Sequence, residues 1–274
     1  MEKKSKIKLL CLQIGSIIGN KFKNEQKVEA MLEEALTSQE VDFVFLPEVW
    51  NVGWDCPSFP NVAENFEKSS SIALLKDFAK KYSVNIIGGS LIEKKSNGDL
   101  VNSCPVIDRK GELICTYEKN HLFSYYGCDE GNYVKAGKTP VMVELDGLKI
   151  GLSICYDIRF PEIYREYRKA GADLLVNMAA WGSEKSIAWK SMTTARAVEN
   201  QTYFVALTQT GYLRDGSRNL GRSSIISYKG DVLSSLGEEE GYFFVEIDLE
   251  EMYEFREKCT ILNDIKDSYE VKKV

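Results

Sequence analysis

Short runs that are apolar at every position alternate along this chain with segments that are apolar only at helical spacing, and that alternation restricts the fold more than any other feature. Phe43-Val-Phe-Leu46 and Leu174-Leu-Val176 offer no polar face, so as strands they need cover on both sides. Ile72, Leu75, Phe78 and Ala79 recur at the spacing of a helix, which is expected over 70–82. The same reading places strands at 7–14, 42–46, 85–92, 102–108 and 112–118, with a first helix over 24–38. Arg109-Lys-Gly111 joins the last pair as a hairpin. The second half repeats the plan. Strands at 141–145 and 149–154 flank Asp146-Gly147, a two-residue hairpin signal. A helix opens at Pro161 and closes near Gly171, the positions those residues favour at helix ends. A strand at 173–177, a helix at 184–200 and strands at 203–208, 222–227, 232–235 and 242–247 complete it. Each half runs strand, helix, strand, helix, then hairpins, which suggests two mixed sheets stacked face to face with helices outside. No Pro/Gly/Ser-rich linker interrupts the pattern, so residues 1–274 are expected to form a single α/β domain.

Several function classes fall to composition. A net charge of -6 without a basic face gives nucleic acid nothing to hold. The lysines before Ile7 resemble the start of a signal peptide, but Lys8, Gln13, Gly15 and Ser16 break the apolar run that follows. No run is long enough to span a membrane. The seven cysteines are odd in number, lack a Cys-x-x-Cys pair and include Cys11, Cys104 and Cys115 inside strand-like segments. They read as reduced thiols of a cytoplasmic protein, with no cluster to ligate zinc and no cofactor implied.

Cys155 is the exception among them. It ends an apolar strand-like run and precedes a helix start at once, where oriented N–H groups and the helix dipole favour a thiolate. Histidine is the common partner of such a thiol, and His121 is the only one in the chain. A Cys/His pair would need His121 beside Cys155 and a third group to orient it. The other route is a carboxylate base with a lysine to supply positive charge. Glu48 and Lys119 end two further strand-like runs, and strand ends form the ligand crevice of α/β folds.

Leu46-Pro-Glu48, Tyr117-Glu-Lys119 and Cys155-Tyr-Asp-Ile-Arg-Phe-Pro-Glu162 resemble, in order, the three catalytic motifs of the nitrilase superfamily of carbon-nitrogen hydrolases. Ala195-Arg-Ala-Val-Glu-Asn200 and Gly221-Arg-Ser223 resemble later motifs, so the likeness covers nearly the whole chain. It is similar in appearance to the omega-amidase-like branch. The resemblance implies a four-layer αββα sandwich, a homodimer, and amide hydrolysis by a Glu-Lys-Cys triad: Cys155 as nucleophile, Glu48 as base, Lys119 beside the oxyanion. The backbone N–H of Tyr156 would be the second oxyanion donor. Glu130 aligns with an additional glutamate of the family when anchored on Gly137, and Asp129 takes that place if the alignment slips by one.

Arg159, four residues after Cys155, is the specificity clue, since a guanidinium pairs bidentately with a substrate carboxylate; its structural alternative is an ion pair with Asp157 or Glu162. Trp181 falls at another strand end as a pocket wall, and Trp50 and Trp54 are placed near the entrance. Arg196, Glu199 and Asn200 read as a buried polar network or a subunit contact. The expected substrate is a small carboxylate-bearing amide, with a nitrile or an N-carbamoyl amino acid using the same residues. From another class, a non-catalytic scaffold would keep the sandwich alone.

Overall fold

The computed structural model describes residues 4–125, 129–266, 268 and 270–274. Its first half runs β1 (Lys6–Gln13), α1 (Lys21–Ser38), β2 (Phe43–Phe45), α2 (Phe59–Val62), α3 (Ser70–Tyr82), β3 (Asn85–Ile87), β4 (Leu91–Lys94), β5 (Leu100–Ile107) and β6 (Leu113–Glu118). The second continues with β7 (Met142–Leu145), β8 (Leu148–Ile154), α4 (Pro161–Lys169), β9 (Leu174–Ala179), α5 (Ser186–Asn200) and β10 (Tyr203–Thr208). It closes with β11 (Ser224–Ile226), β12 (Val232–Ser235), β13 (Gly241–Asp248) and α6 (Leu249–Lys258).

These strands form two mixed sheets. The first has seven strands in the order β13-β1-β2-β3-β5-β4, with β6 on β5; the second has six in the order β12-β11-β10-β9-β8-β7. The parallel pairs are β1 with β2 and β2 with β3 in one sheet, and β8 with β9 and β9 with β10 in the other. β2 and β9, which hold the runs with no polar face, are the middle strands of these two parallel sets and are buried at every position. The chain's last strand returns to the first, β13 pairing antiparallel with β1 from Lys6 opposite Asp248 to Gln13 opposite Gly241.

Alternation along β1 shows how the layers are made. Leu9 and Cys11 point into the space shared with the second sheet, together with Ile150, Leu152 and Val205. Leu10 and Leu12 point the other way, onto Val28, Leu32 and Ala35 of α1 and Leu75 and Phe78 of α3. Each such fully buried leucine stabilises the fold by about 1.5–3 kcal/mol relative to exposure. On the far side, Tyr164 and Tyr167 of α4 and Trp189 and Ala197 of α5 cover the second sheet. The α4 contact requires Gly151, where a Cβ would lie 2.6 Å from the Tyr167 ring. The result is a four-layer αββα sandwich of two mixed sheets with helices on both outer faces.

The expected elements lie in the expected order, and 70–82 and 203–208 match to the residue. The strand expected over 85–92 is instead two strands broken at Gly88-Gly89. Gly89 has φ +66, and a Cβ there would stand 2.1 Å from the Pro47 carbonyl oxygen. Trp50 Nε1 donates to the Gly88 carbonyl at 2.9 Å, so the break receives the loop that carries Glu48. Helix α6 is an addition. Asp248 caps it by accepting from the N–H groups of Glu250 and Glu251, while Leu249 and Met252 are its buried residues.

Candidate active site

Glu48, Lys119 and Glu130 arrive from three different loops and are all fully buried. Glu48 follows β2, and its backbone carbonyl is fixed by Gln209 Nε2 at 2.6 Å; the next residue, Val49, has φ +40 and donates its N–H to Ser90 Oγ. Lys119 follows β6, held by its N–H to the Asn102 carbonyl and its carbonyl to the Gly137 N–H, both at 2.8 Å. Glu130 opens a short 3-10 turn in the connection between the sheets, with its N–H on the Phe123 carbonyl.

Burying a charge is costly unless it is paired and hydrogen-bonded, and here two carboxylates share one ammonium. Lys119 Nζ donates to Glu48 Oε1 and Glu130 Oε2, each at 2.9 Å. It also sits 4.9 Å from the centroid of the Trp54 ring. Glu48 Oε2 accepts the Ala180 N–H at 2.8 Å, and Glu130 Oε2 accepts the Phe123 N–H at 2.9 Å. Burial alone would lower the lysine's pKa, but Glu130 and Glu48, with Cys155 beside them, hold it well above its ordinary value. Lys119 is therefore a fixed cation. Burial raises Glu130 from the ordinary carboxylate range against the pull of Lys119, with Glu48 adding to the rise. Asp129 is exposed and uses Oδ1 to cap Gly131 N–H, so Glu130 is the residue of the two that meets Lys119. Cys128, just before them, lies outside the described residues.

Cys155 follows β8 in the left-handed region, φ +47, a conformation that costs a non-glycine residue roughly 1–2 kcal/mol. The elbow is pinned from all sides. Asp157 Oδ2 accepts the Ile154 N–H at 2.9 Å and the Tyr117 hydroxyl at 2.6 Å. Asn177 Nδ2 reaches Ser153 Oγ, the Tyr164 hydroxyl and the Cys155 carbonyl. Arg196 donates from Nε and Nη2 to the Ile158 carbonyl, while its Nη1 meets Glu199 and its carbonyl accepts Asn200 Nδ2. Arg196 thus holds the turn after the thiol, in a polar network whose Glu199 is partly exposed. The elbow was expected to favour a thiolate. Instead burial, then the Glu48 carboxylate that its thiol hydrogen-bonds, push Cys155 well above the ordinary thiol pKa, and Lys119 offsets only part of this. Burial and Glu48 thus favour the protonated thiol.

The sole histidine is engaged elsewhere. His121 Nδ1 and N–H both meet Asp157 Oδ1, at 2.8 and 2.9 Å, and its ring stacks on Phe160 at 3.7 Å. Glu48, Lys119 and Glu130 are the charged groups that act on the thiol.

Cys155 is 6% exposed and opens onto a cavity of about 520 Å³, within the range of small-molecule sites. Trp54, Phe123, Tyr125, Ala180 and Trp181 line its wall, and Arg214 pairs with Asp55 across it at 3.1 Å. Trp50 is fully buried behind Gly88 and does not reach the entrance, whereas Trp54 does. Trp181 is 3% exposed, with Nε1 on the Lys185 carbonyl. Tyr156 turns its ring into an aromatic cluster with Phe123, Tyr125 and Phe160. Its backbone N–H belongs to the first turn after the thiol, where N–H groups have no partner within the turn.

Arg159 pairs with neither Asp157 nor Glu162. Its guanidinium lies 5.2 to 5.8 Å from the rings of Trp181, Tyr125 and Tyr156, and Nη2 donates to the Tyr125 hydroxyl at 2.6 Å. Its Nε is buried without an acceptor among the described residues. A half-buried cation boxed by two residues of the cavity wall and lacking a carboxylate is suited to receiving one from a ligand. No group of acidic, cysteine or histidine side chains among the described residues could hold a metal ion, and no described helix is long and apolar enough to cross a membrane.

The wider comparison agrees with this geometry. The family description "carbon-nitrogen hydrolase" matches residues 11–257. The 2-oxoglutaramate amidase of Bacillus subtilis is 39% identical over 260 residues, covering 94% of this chain and 98% of its own. An omega-amidase of Bos taurus is 31% identical over 273 residues, 97% of each chain. The crystal structure of Saccharomyces cerevisiae Nit3, a member of branch 10 of the nitrilase superfamily, superposes with a TM-score of 0.85 at 27% identity, over 93% of this chain and 94% of that one. The chain belongs to the carbon-nitrogen hydrolase family, the nitrilase superfamily.

Proposed function

We propose that this enzyme is an omega-amidase-like hydrolase that releases ammonia from a small aliphatic amide bearing a distal carboxylate, through a thioester on Cys155. The reading rests on one arrangement above all: a buried ammonium locked between two carboxylates beside a thiol that opens onto a cavity, with Arg159, unpaired with any carboxylate of the described residues, behind the wall residues Tyr125 and Trp181. The names of the amidase relatives support the substrate class.

The reaction follows from those positions. Glu48 takes the thiol proton as sulfur attacks the amide carbon, and the carbonyl oxygen becomes an oxyanion. Lys119 Nζ and the Tyr156 N–H hold that charge, each such donor contributing roughly 3 kcal/mol to the transition state. Lys119 serves as an electrophile because its proton is firmly held. Collapse breaks the carbon-nitrogen bond, with Glu48 returning the proton to the departing ammonia. Glu48 then deprotonates the water that attacks the thioester, and the acid leaves as the thiol recovers its proton. Glu130 keeps Lys119 in place. Arg159 takes the far carboxylate and Trp181 bounds the aliphatic chain between them.

Incubation with amides of dicarboxylic and keto acids should yield ammonia and, on rapid quenching, an acyl group on Cys155. Turnover of nitriles or N-carbamoyl amino acids but not of amides would reassign the substrate class. We also read the protein as a cytoplasmic homodimer of single-domain subunits that acts without nucleic acid or membrane. The described cysteines are all unbridged, which supports a reducing compartment. A solution mass of one subunit would contradict the dimer.

A further inference from the structure

We propose that Asn102 is a positioning residue for the reaction: its side-chain amide holds Glu48 and Glu130 together around Lys119. This rests on the reading of the site given above. Asn102 lies in β5, on the face that carries Cys104 and Val106 into the space between the sheets, and it is fully buried. Its Nδ2 donates to Glu48 Oε1 at 2.9 Å and to Glu130 Oε1 at 3.2 Å. With Lys119 Nζ on the same Glu48 oxygen and on Oε2 of Glu130, this closes a ring of four groups: ammonium, carboxylate, amide, carboxylate. The backbone carbonyl of the same residue accepts the Lys119 N–H at 2.8 Å, so one strand position sets all three charged side chains.

The opposite end of the amide shows that this donor pair is what the position is built for. Asn102 Oδ1 is buried and has no partner among the described residues. An unpaired buried acceptor carries a cost, and a residue kept only for packing would have an apolar side chain there. The donor half also answers an electrostatic problem. Two carboxylates drawn to one ammonium repel each other, and a neutral group donating to both favours their joint ionisation without adding charge. The groups facing this ring are Lys119, Glu48, Glu130 and Cys155, from β6, the β2 loop, the intersheet connection and the β8 elbow. Glu48 must be ionised to take the thiol proton. Asn102 thereby acts on catalysis through the base.

The test compares the intact enzyme with Asn102→Ala and with Asn102→Leu, which keeps the volume if the smaller side chain does not fold. Both are read by circular dichroism and by kcat and KM against pH on a carboxylate-bearing amide. The expected result is a loss of kcat of roughly 10- to 100-fold, KM within about twofold, and an acidic limb of kcat/KM displaced upward by about one pH unit, because the carboxylate pair takes a proton sooner without its shared donor. An unshifted pH profile, a change confined to KM, or a loss that only tracks the folded fraction overturns the proposal. Failure of the unaltered enzyme to acylate Cys155 would overturn the reading of the site itself, and the proposal with it.

Discussion

The two sheets bring different chemistry to the same cavity. From the first come Glu48, Lys119 and Asn102, and from the connection leaving it Glu130: charged or amide groups, fully buried, each satisfied chiefly by the others. From the second come the Cys155 thiol at the cavity, the Ala180 N–H that binds Glu48, and Arg159, ringed by Tyr156 and Trp181 and left with no acceptor for its Nε among the described residues. A closed network gains its geometry from mutual pairing, so losing one member leaves a buried charge uncompensated. The Cys155 and Arg159 side chains have fewer partners, so they can be changed with less effect on the fold. On the proposed reading, the groups that hold the base and the cation are thus the stability-critical ones, and the thiol and Arg159 are not.

The largest expected effect breaks the chemistry alone. Cys155→Ala should abolish ammonia release, a loss of at least about 10⁴-fold, while the melting temperature stays within a few degrees. Lys119→Ala should show the opposite balance: comparable loss of activity together with destabilisation of about 3–5 kcal/mol in urea unfolding, since two buried carboxylates lose their cation. Equal stability in both variants would erase the distinction between the two sheets. Glu48→Gln should lower kcat by roughly 10²–10⁴-fold. It also removes a carboxylate that raises the Cys155 pKa while Lys119 remains, so the pH midpoint for alkylation of Cys155 should fall; a rise would contradict the assigned electrostatics.

Arg159→Met should raise KM for carboxylate-bearing amides by roughly 10- to 100-fold and leave a neutral amide of equal length unchanged. Loss on both substrates alike would make Arg159 a structural residue of the elbow. The smallest effect concerns strain. Cys155→Gly should be more stable than Cys155→Ala by about 1 kcal/mol, because glycine accepts φ +47 freely.

Much of this was legible in the sequence because strand ends are marked by abrupt changes in composition. Leu46-Pro-Glu48, Tyr117-Glu-Lys119 and the stretch from Cys155 each place a reactive group where an apolar run stops, and the structure brings these three to one point. The enzyme class expected from them is that of the family, which sets aside the scaffold alternative. Asn102 was not legible as a site residue, since an asparagine at the start of a strand looks like an ordinary strand boundary and its two partners lie 54 and 28 residues away. Asn177 and Asp157 escaped for the same reason: their partners are set by tertiary packing. The direction of the Cys155 shift was missed because local geometry suggests a dipole, whereas burial and the distant Glu48 decide the balance. The break at Gly88-Gly89 follows from contact with Pro47, which no local pattern announces.

Mass spectrometry of the rapidly quenched enzyme during turnover of a carboxylate-bearing amide tests the central claim most directly. The expected result is one acyl group, equal to the substrate less ammonia, on the peptide that contains Cys155, absent in Cys155→Ala and longer-lived when water attack is slowed in Glu48→Gln. Ammonia release with no adduct on that peptide, or with the acyl group on another cysteine, would contradict the account.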